Sequence, residues 1–267
     1  MRAPTVIGAL CVALAAFCYA INTALIRLVS DELNPFMIGA LRNSFALLFF
    51  APLLLRSGAS TFRTRRWPIH LVRTGCAVAS AILMFWALTQ VPLSDAVALN
   101  FAAPIFVAIA AVVIFGEHMG VRRWTATAIG FVGILIILRP GFQSFGPGLL
   151  AVLGSAALWS GMVLCNKSLT RTDTMTQIVV LNLVVAAPVS VLIALPVWQA
   201  PSMWALGCTA VQGLLGTMAH FLVARGFQLA DASHIMPVDF LRLPFAAIIA
   251  YFVFAERPDV ATIAGAC

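Results

Sequence analysis

The chain consists of apolar stretches long enough to cross a membrane, separated by short polar connections. Of its 267 residues, 62% are apolar and 9% are charged, and the mean hydropathy is +1.03. A soluble chain of this length carries roughly a quarter charged residues, whereas a membrane-spanning helix needs about 20 apolar ones. We therefore predict an all-α polytopic membrane protein. The predicted spans are residues 5–27, 34–55, 69–89, 94–115, 124–138, 147–166, 174–197, 202–224 and 232–254, with a tenth from residue 258.

The first and the tenth apolar blocks differ from the other predicted spans. The tenth block stops at Cys267 after ten residues, which reach only about 15 Å as a helix. We expect this span to be cut short by a truncated C-terminus. The first block resembles a signal peptide, but the apolar blocks that follow favour an uncleaved first span.

The basic residues predict the orientation of the spans. Nine of them fall in one set of alternate connections and three in the other. Because cytoplasmic connections carry the excess of Lys and Arg, the N-terminus is predicted to be cytoplasmic. The formal net charge of +7 then reflects topology, and no nucleic-acid partner is expected. The majority set is Arg2, Arg56, Arg63, Arg65, Arg66, Arg122, Arg123, Lys167 and Arg171, and the minority set is Arg27, Arg139 and Arg257.

The cysteines do not point to a metal centre or a disulfide framework. All lie in apolar stretches, without CxxC pairs and without histidines at zinc-ligand spacing. We interpret them as small apolar packing residues and predict no metal and no cofactor. They are Cys11, Cys18, Cys76, Cys165, Cys208 and Cys267.

The sequence contains an internal repeat. A shift of 139 positions aligns residues 94–118 with residues 233–257, and eight of these 25 pairs are identical. A shift of 140 pairs Tyr19 with Trp159. The repeating unit is five spans, and an odd number of spans forces the second copy to enter the membrane from the opposite face. The sequence thus predicts two inverted repeats, 1–140 and 141–267, an arrangement typical of secondary transporters.

Several short motifs carry a resemblance to a known family. They are residues 92–96, Pro104, Gly116-Glu117, Arg123-Trp124, Gly130, Gly133 and residues 139–141 in the first half, and residues 230–233, Pro237, residues 239–244 and Glu256 in the second. At these positions the sequence resembles the EamA-like branch of the drug/metabolite transporter superfamily.

The resemblance implies ten spans in two repeats of five. It also implies a central cavity formed mostly by spans one, three, four, six, eight and nine, which opens alternately to each side. It further implies a bacterial inner membrane and a small metabolite as substrate, namely an amino acid derivative, a nucleotide-like compound, a vitamin or a drug. Monomer and homodimer both stay open.

Three charged residues stand out near the middle of predicted spans, where a charge costs about 2.5–3.5 kcal/mol on insertion scales. Arg42 lies in span two, and Asp239 and Arg242 lie three residues apart in span nine. The span-nine pair is either an internal ion pair or a site for substrate or proton. We predict that Arg242→Ala abolishes transport while the protein still inserts, and that Asp239→Asn changes its pH dependence.

Prolines interrupt corresponding spans of the two halves. Pro237 and Pro244 flank the charged pair, and Pro104 removes the helical partner of the Asn100 carbonyl. Asn100 aligns with Asp239 in the repeat. Interrupted helices at corresponding positions indicate a transporter's binding site, although a kink that serves packing is the alternative.

Aromatic and polar side chains complete the predicted substrate site. Tyr19, Trp86 and Trp159 suit stacking or cation–π contact with a planar or cationic substrate, or else they pack. His220 either exchanges protons or is a packing histidine. Asn22 lies one turn beyond Tyr19.

Two further features, a pair of arginines and several pairs of small residues, are interpreted as structural. Arg73 and Arg225 are expected to reach water at the span ends. Small-residue pairs predict close helix packing, and these are Gly75 with Ala79, Gly130 with Gly133, and Gly213 with Gly216.

The sequence leaves three function classes to consider: a secondary transporter, an intramembrane enzyme and a channel. A secondary transporter working by alternating access, driven by protons or a substrate gradient, is favoured, because no Walker motif is present. The alternative is an intramembrane enzyme, against which stands the lack of HExxH and GxSxG motifs. A channel needs a continuous polar lining, which the sparse polar residues do not supply. Arg42 and Arg242 favour an acidic substrate group and Asp239 an amine, so a zwitterion fits both.

Overall fold

The computed structural model confirms the all-α fold for the part of the chain that it describes. This part comprises residues 3–57, 62, 64–100, 102–115, 125, 129, 132, 146–169, 172–229, 238 and 241–255. Within it lie nine α-helices and one short 3-10 helix, Leu195–Val197, without a strand. The helices are α1 Ala3–Val29, α2 Pro35–Ser57, α3 Trp67–Ala87, α4 Leu93–Asn100, α5 Ala103–Phe115, α6 Pro147–Leu169, α7 Met175–Ala194, α8 Met203–Leu229 and α9 Arg242–Phe254.

Six of the described helices are long and apolar enough to cross a membrane. They contain the segments Val6–Val29, Pro35–Pro52, Trp67–Ala87, Pro147–Asn166, Gln177–Val197 and Met203–Val223. These agree with predicted spans one to three and six to eight. Predicted span five, apart from three isolated residues, and span ten lie outside the described residues, so the count of ten stays a prediction.

Predicted span four is interrupted, as its proline suggested. The helix stops at Asn100, Ala102 lies in a turn whose N–H donates to the Leu99 carbonyl at 2.9 Å, and a new helix begins at Ala103. Of predicted span nine, the structure describes Val238 and residues 241–254. Leu241 lies in a turn, and α9 begins at Arg242. Both α5 and α9 are 13 residues long, and both of their ends differ by 139, the shift of the sequence repeat.

The helices pack across the midpoint of the chain. The largest contacts are between α1 and α8 and between α3 and α6, followed by α2 with α7. Smaller contacts join α2 with α8 and α3 with α7, and also α1 with α9 and α5 with α6. Exchanging α1, α2, α3 and α5 with α6, α7, α8 and α9 leaves the pair α2–α7 unchanged and turns every other pair into another pair of this set. The main helix contacts are therefore matched between the two halves of the chain.

Small residues allow the closest of these contacts. Gly213 on α8 lies against the backbone of α2, and a Cβ atom placed there would lie 2.7 Å from the Arg42 carbonyl oxygen. Gly216 lies next to the Asn22 side chain. Among the described residues, nothing lies within 4 Å of such a Cβ at Gly75, so the close packing predicted there is not seen in this part of the chain. Gly130 and Gly133 lie outside the described residues.

Candidate functional site

Three rings from three helices meet in the middle of the helix bundle. The Tyr19 hydroxyl and His220 Nδ1 are hydrogen-bonded at 3.0 Å, and their rings meet edge to face at 5.7 Å between centroids. On the other side, His220 stacks on Trp159 at 6.0 Å and 21°. Tyr19 lies on α1, Trp159 on α6 and His220 on α8. Because Tyr19 and Trp159 correspond in the sequence repeat, His220 lies between two equivalent positions.

A guanidinium group extends this arrangement. The Arg242 side chain, at the first turn of α9, lies over the Tyr19 ring with its central carbon 4.5 Å from the ring centroid. The order is then Trp159, His220, Tyr19 and Arg242, and we call these four residues the aromatic column. Contact of a guanidinium with an aromatic face is attractive and leaves the edges of the guanidinium able to donate hydrogen bonds.

The aromatic column is accessible at its histidine. His220 is exposed although it is flanked by rings from α1 and α6, and Tyr19 and Trp159 are half-buried. An exposed imidazole between helices is consistent with a water-filled cavity, since polar side chains at membrane depth face a cavity or a partner. Of the charged groups described, Arg42, Arg73 and Arg242 lie close enough to act on His220. The described surroundings of the column are thus cationic and aromatic.

Arg42 and Asn22, two other residues predicted for the site, have their main contacts with residues outside the aromatic column. Arg42 lies over the Phe85 ring at 5.6 Å, and its Nη2 donates to the Asn43 side chain at 3.2 Å. Asn22 is buried and donates to the Gln212 carbonyl at 2.8 Å, so it joins α1 to α8.

Two predicted residues lie apart from the column, and one is not described. Asn100 is half-buried and donates to the Met84 sulfur at 3.7 Å. Trp86 is 37% exposed and, among the described contacts, has no hydrogen bond or ring contact with the column. Asp239 lies outside the described residues, so its pairing with Arg242 stays a prediction.

Arg73 differs from expectation. It is 7% exposed, where the sequence suggested a side chain reaching water. Its Nε donates to the Asn166 side chain and its Nη1 to the Ile178 carbonyl, so it joins α3 to α6 and α7. Two neutral acceptors on neighbouring helices hold the guanidinium inside, which a single sequence does not reveal.

Sequence reasoning missed several polar residues at helix crossings. Gln212 is fully buried, and within the described residues its side-chain amide has no partner. Ser80 and Ser155 each donate to the other's carbonyl at 2.8 Å, across α3 and α6. Their only sequence signal is a polar residue within an apolar span. Among the described residues no group of His, Cys, Asp or Glu is arranged to hold a metal ion.

Comparison with known proteins gives one family. A sequence profile described as the EamA-like transporter family matches residues 6–139 and residues 146–267.

Individual relatives span nearly the whole chain. An S-adenosylmethionine uptake transporter of Rickettsia prowazekii is 29% identical over 246 residues, covering 92% of this chain and 84% of the relative. A riboflavin transporter of Vibrio cholerae is 31% identical over 258 residues, covering 94% and 86%. A pseudopaline exporter of Pseudomonas aeruginosa is 24% identical over 262 residues, covering 97% and 91%.

A solved crystal structure shares the fold. It aligns with a TM-score of 0.65 and 20% identity, and the alignment covers 100% of this chain and 93% of the other. At this identity the likeness supports the fold and carries no statement about the ligand.

Proposed function

The chain belongs to the EamA-like transporter family, and from this premise we propose that it moves a metabolite with a planar ring and a polar tail by alternating access. Membership makes it a membrane transporter of small molecules. The intramembrane enzyme, considered above as the alternative, is not favoured.

The observation that carries the substrate class is the aromatic column. Trp159 and Tyr19 flank His220, and the imidazole between them is exposed. A planar heteroaromatic ring fits such a surface by stacking, which contributes about 0.5–1.5 kcal/mol beyond buried area. The relatives named for S-adenosylmethionine and riboflavin support this class, because both molecules join a flat ring system to a polar chain.

The arginines supply the second half of the recognition. Arg242 and Arg42 lie at the column and carry donors that suit carboxylate, carbonyl or hydroxyl oxygens. A substrate with an acidic group therefore gains a charge-assisted hydrogen bond in addition to ring stacking. We propose that Arg242 binds this polar end, since its position over Tyr19 brings it next to the ring surface.

The architecture that we propose is ten spans in two inverted repeats, 1–140 and 141–267, in a bacterial inner membrane. The matching lengths and 139-residue offset of α5 and α9 support the repeat. The N-terminus is proposed to be cytoplasmic. Thr64 and Arg66 of the α2–α3 connection contact Asp173 and Thr172 of the α6–α7 connection, which supports placing both of these basic connections on one membrane face. Transport would be driven by protons or by the substrate gradient.

A thermal-shift panel tests the substrate class. Purified protein is melted with riboflavin, S-adenosylmethionine, adenosine and methionine; ligand at a hundred times its Kd adds about 2.7 kcal/mol to the folded state. Compounds that contain the ring should raise the melting temperature, and methionine, which lacks it, should not. Trp159→Ala should remove the shift, whereas Trp204→Ala, at a 63% exposed position, should retain it. An equal shift in both variants would exclude the column as the site.

A further inference from the structure

Two carboxylates bridge the halves of the chain at opposite ends of the helix bundle. The first is Glu32, in the turn after α1. Its Oε1 accepts from the Ser202 backbone N–H and its Oε2 from the Ser202 hydroxyl, both at 2.7 Å. Ser202 in turn caps α8, because its hydroxyl oxygen accepts from the Ala205 N–H at 3.1 Å. Gln199 donates to the Glu32 carbonyl, so the turn after α1 is held against the start of α8.

The second carboxylate is Asp173, in the turn after α6. Its Oδ2 accepts from the Thr64 hydroxyl at 3.0 Å and lies 2.8 Å from His70 Nε2. Because an ionised carboxylate only accepts, this nitrogen of His70 carries the proton. Arg66 adds bonds of 2.7 Å to the carbonyl and the hydroxyl of Ser168. The turn after α6 is thus held against the start of α3.

The two arrangements correspond to each other in the sequence repeat. Glu32 and Asp173 are 141 positions apart, and Thr64 and Ser202 are 138 apart, each within two residues of the 139-position repeat shift. In both, an acid after the first helix of one half binds the start of the third helix of the other half. Since the second half is inverted, the two acids lie on opposite membrane faces.

We propose that these contacts are the two gates of the transporter, and the proposal rests on the alternating access proposed above. Each acid closes one end of a large helix contact, α1 with α8 for Glu32 and α3 with α6 for Asp173. A path from either face to the aromatic column requires the helix ends on that face to separate. Each half-cycle then breaks one carboxylate contact and keeps the other.

The two gates differ in strength. The side chains of His70 and Asp173 are 2% and 8% exposed, whereas Glu32 and Ser202 are exposed. Charge-assisted hydrogen bonds shielded from water are stronger than those on a surface, where water competes. The Asp173 gate lies on the basic, cytoplasmic side, so this side is the more firmly closed and the Glu32 side opens first.

A native thiol reports on the Asp173 gate. Cys165 lies on α6, half-buried, near Cys76 and Arg73 of α3. Separation of α3 from α6 would expose it to the cytoplasmic side. A variant that keeps Cys165 and carries alanine at the other cysteines can be labelled with a membrane-impermeant maleimide in inside-out vesicles.

Matched variants then distinguish the gates. In the Cys165 background, Asp173→Ala should raise the labelling rate about tenfold, the effect of losing a buried charge-assisted contact. Glu32→Ala, the same truncation on the opposite face, should leave the rate unchanged or lower it. Asp173→Asn keeps the shape and one acceptor oxygen, and it should raise the rate less even if the alanine variant does not fold.

The outcomes separate this proposal from the proposed function. Unchanged labelling in both Asp173 variants, or an equal rise in Glu32→Ala, would overturn the gate assignment. If labelling behaves as expected but neither riboflavin nor S-adenosylmethionine shifts the melting temperature, the gates stand and the substrate class falls. If the ligands shift the melting temperature and labelling does not respond, the reverse holds.

Discussion

The contact of Gly213 with α2 gives the sharpest prediction for stability. A Cβ at this position would lie 2.7 Å from the Arg42 carbonyl oxygen, 2.8 Å from the Ala46 nitrogen and 3.1 Å from the Phe45 Cβ. The two closest atoms belong to the backbone of α2, so no side-chain rotation relieves the overlap. Restoring ordinary contact requires the helices to separate by about 0.7 Å.

We expect Gly213→Ala to lower the free energy of unfolding by about 1–3 kcal/mol through this overpacking. Replacing a helical glycine also removes up to about 1 kcal/mol of unfavourable helix propensity, which would mask part of the loss. Gly207→Ala is the matched control, because Gly207 lies on the same helix and no atom of the described residues lies within 4 Å of a Cβ placed there. The difference between the variants isolates the clash.

Unfolding in mixed micelles with increasing dodecyl sulfate, followed by circular dichroism, measures this difference. Gly213→Ala should unfold at a lower fraction of dodecyl sulfate than Gly207→Ala, and it should also bind ligand more weakly, because the overlap displaces α2 at Arg42. Equal midpoints for both variants would refute the close crossing of α2 and α8.

Three further substitutions test individual contacts. Tyr19→Phe removes the hydroxyl bonded to His220 but keeps the ring, so ligand affinity should fall by less than about tenfold in a fluorescence titration; a complete loss of binding would contradict this. Ser80→Ala should cost about 1 kcal/mol in the unfolding assay, and the further change Ser155→Ala should cost about as much again, because each hydroxyl donates to the other residue's backbone carbonyl, which alanine retains. Thr174→Ala removes the capping box of α7 and should cost about 1 kcal/mol, with no change in ligand affinity.

The fold was predictable because hydropathy and chain connectivity determine most of it. Six predicted spans agree with helices of the structure, since about 20 apolar residues in a row have few alternatives to a spanning helix. The break near Asn100 was predictable from Pro104, because proline removes a backbone donor. Span boundaries shifted by a few residues, as at α8, which continues to Leu229.

The candidate site was predictable only in part. Tyr19, Trp159, His220 and Arg242 were chosen for their residue types, and the structure brings them together. Asn22 was chosen for the same reason, yet its amide bonds the α8 backbone, because a buried donor must find the nearest acceptor.

The gate contacts were not foreseen, and their distance in the chain explains why. His70 and Asp173 are separated by 103 residues, and Glu32 and Ser202 by 170. In the sequence, nothing distinguishes these four residues from other polar residues in or near the ends of the spans. Only the packing of α3 on α6 and of α1 on α8 brings the partners together.

Flux into proteoliposomes directly tests whether the protein transports its substrate through the aromatic column. Riboflavin and S-adenosylmethionine are supplied outside, and accumulation inside is compared among wild type, Trp159→Ala and Trp204→Ala. Wild type and Trp204→Ala should accumulate at least one of the two compounds, and Trp159→Ala should accumulate the same compound at least about tenfold more slowly. Equal rates in the two tryptophan variants would contradict it.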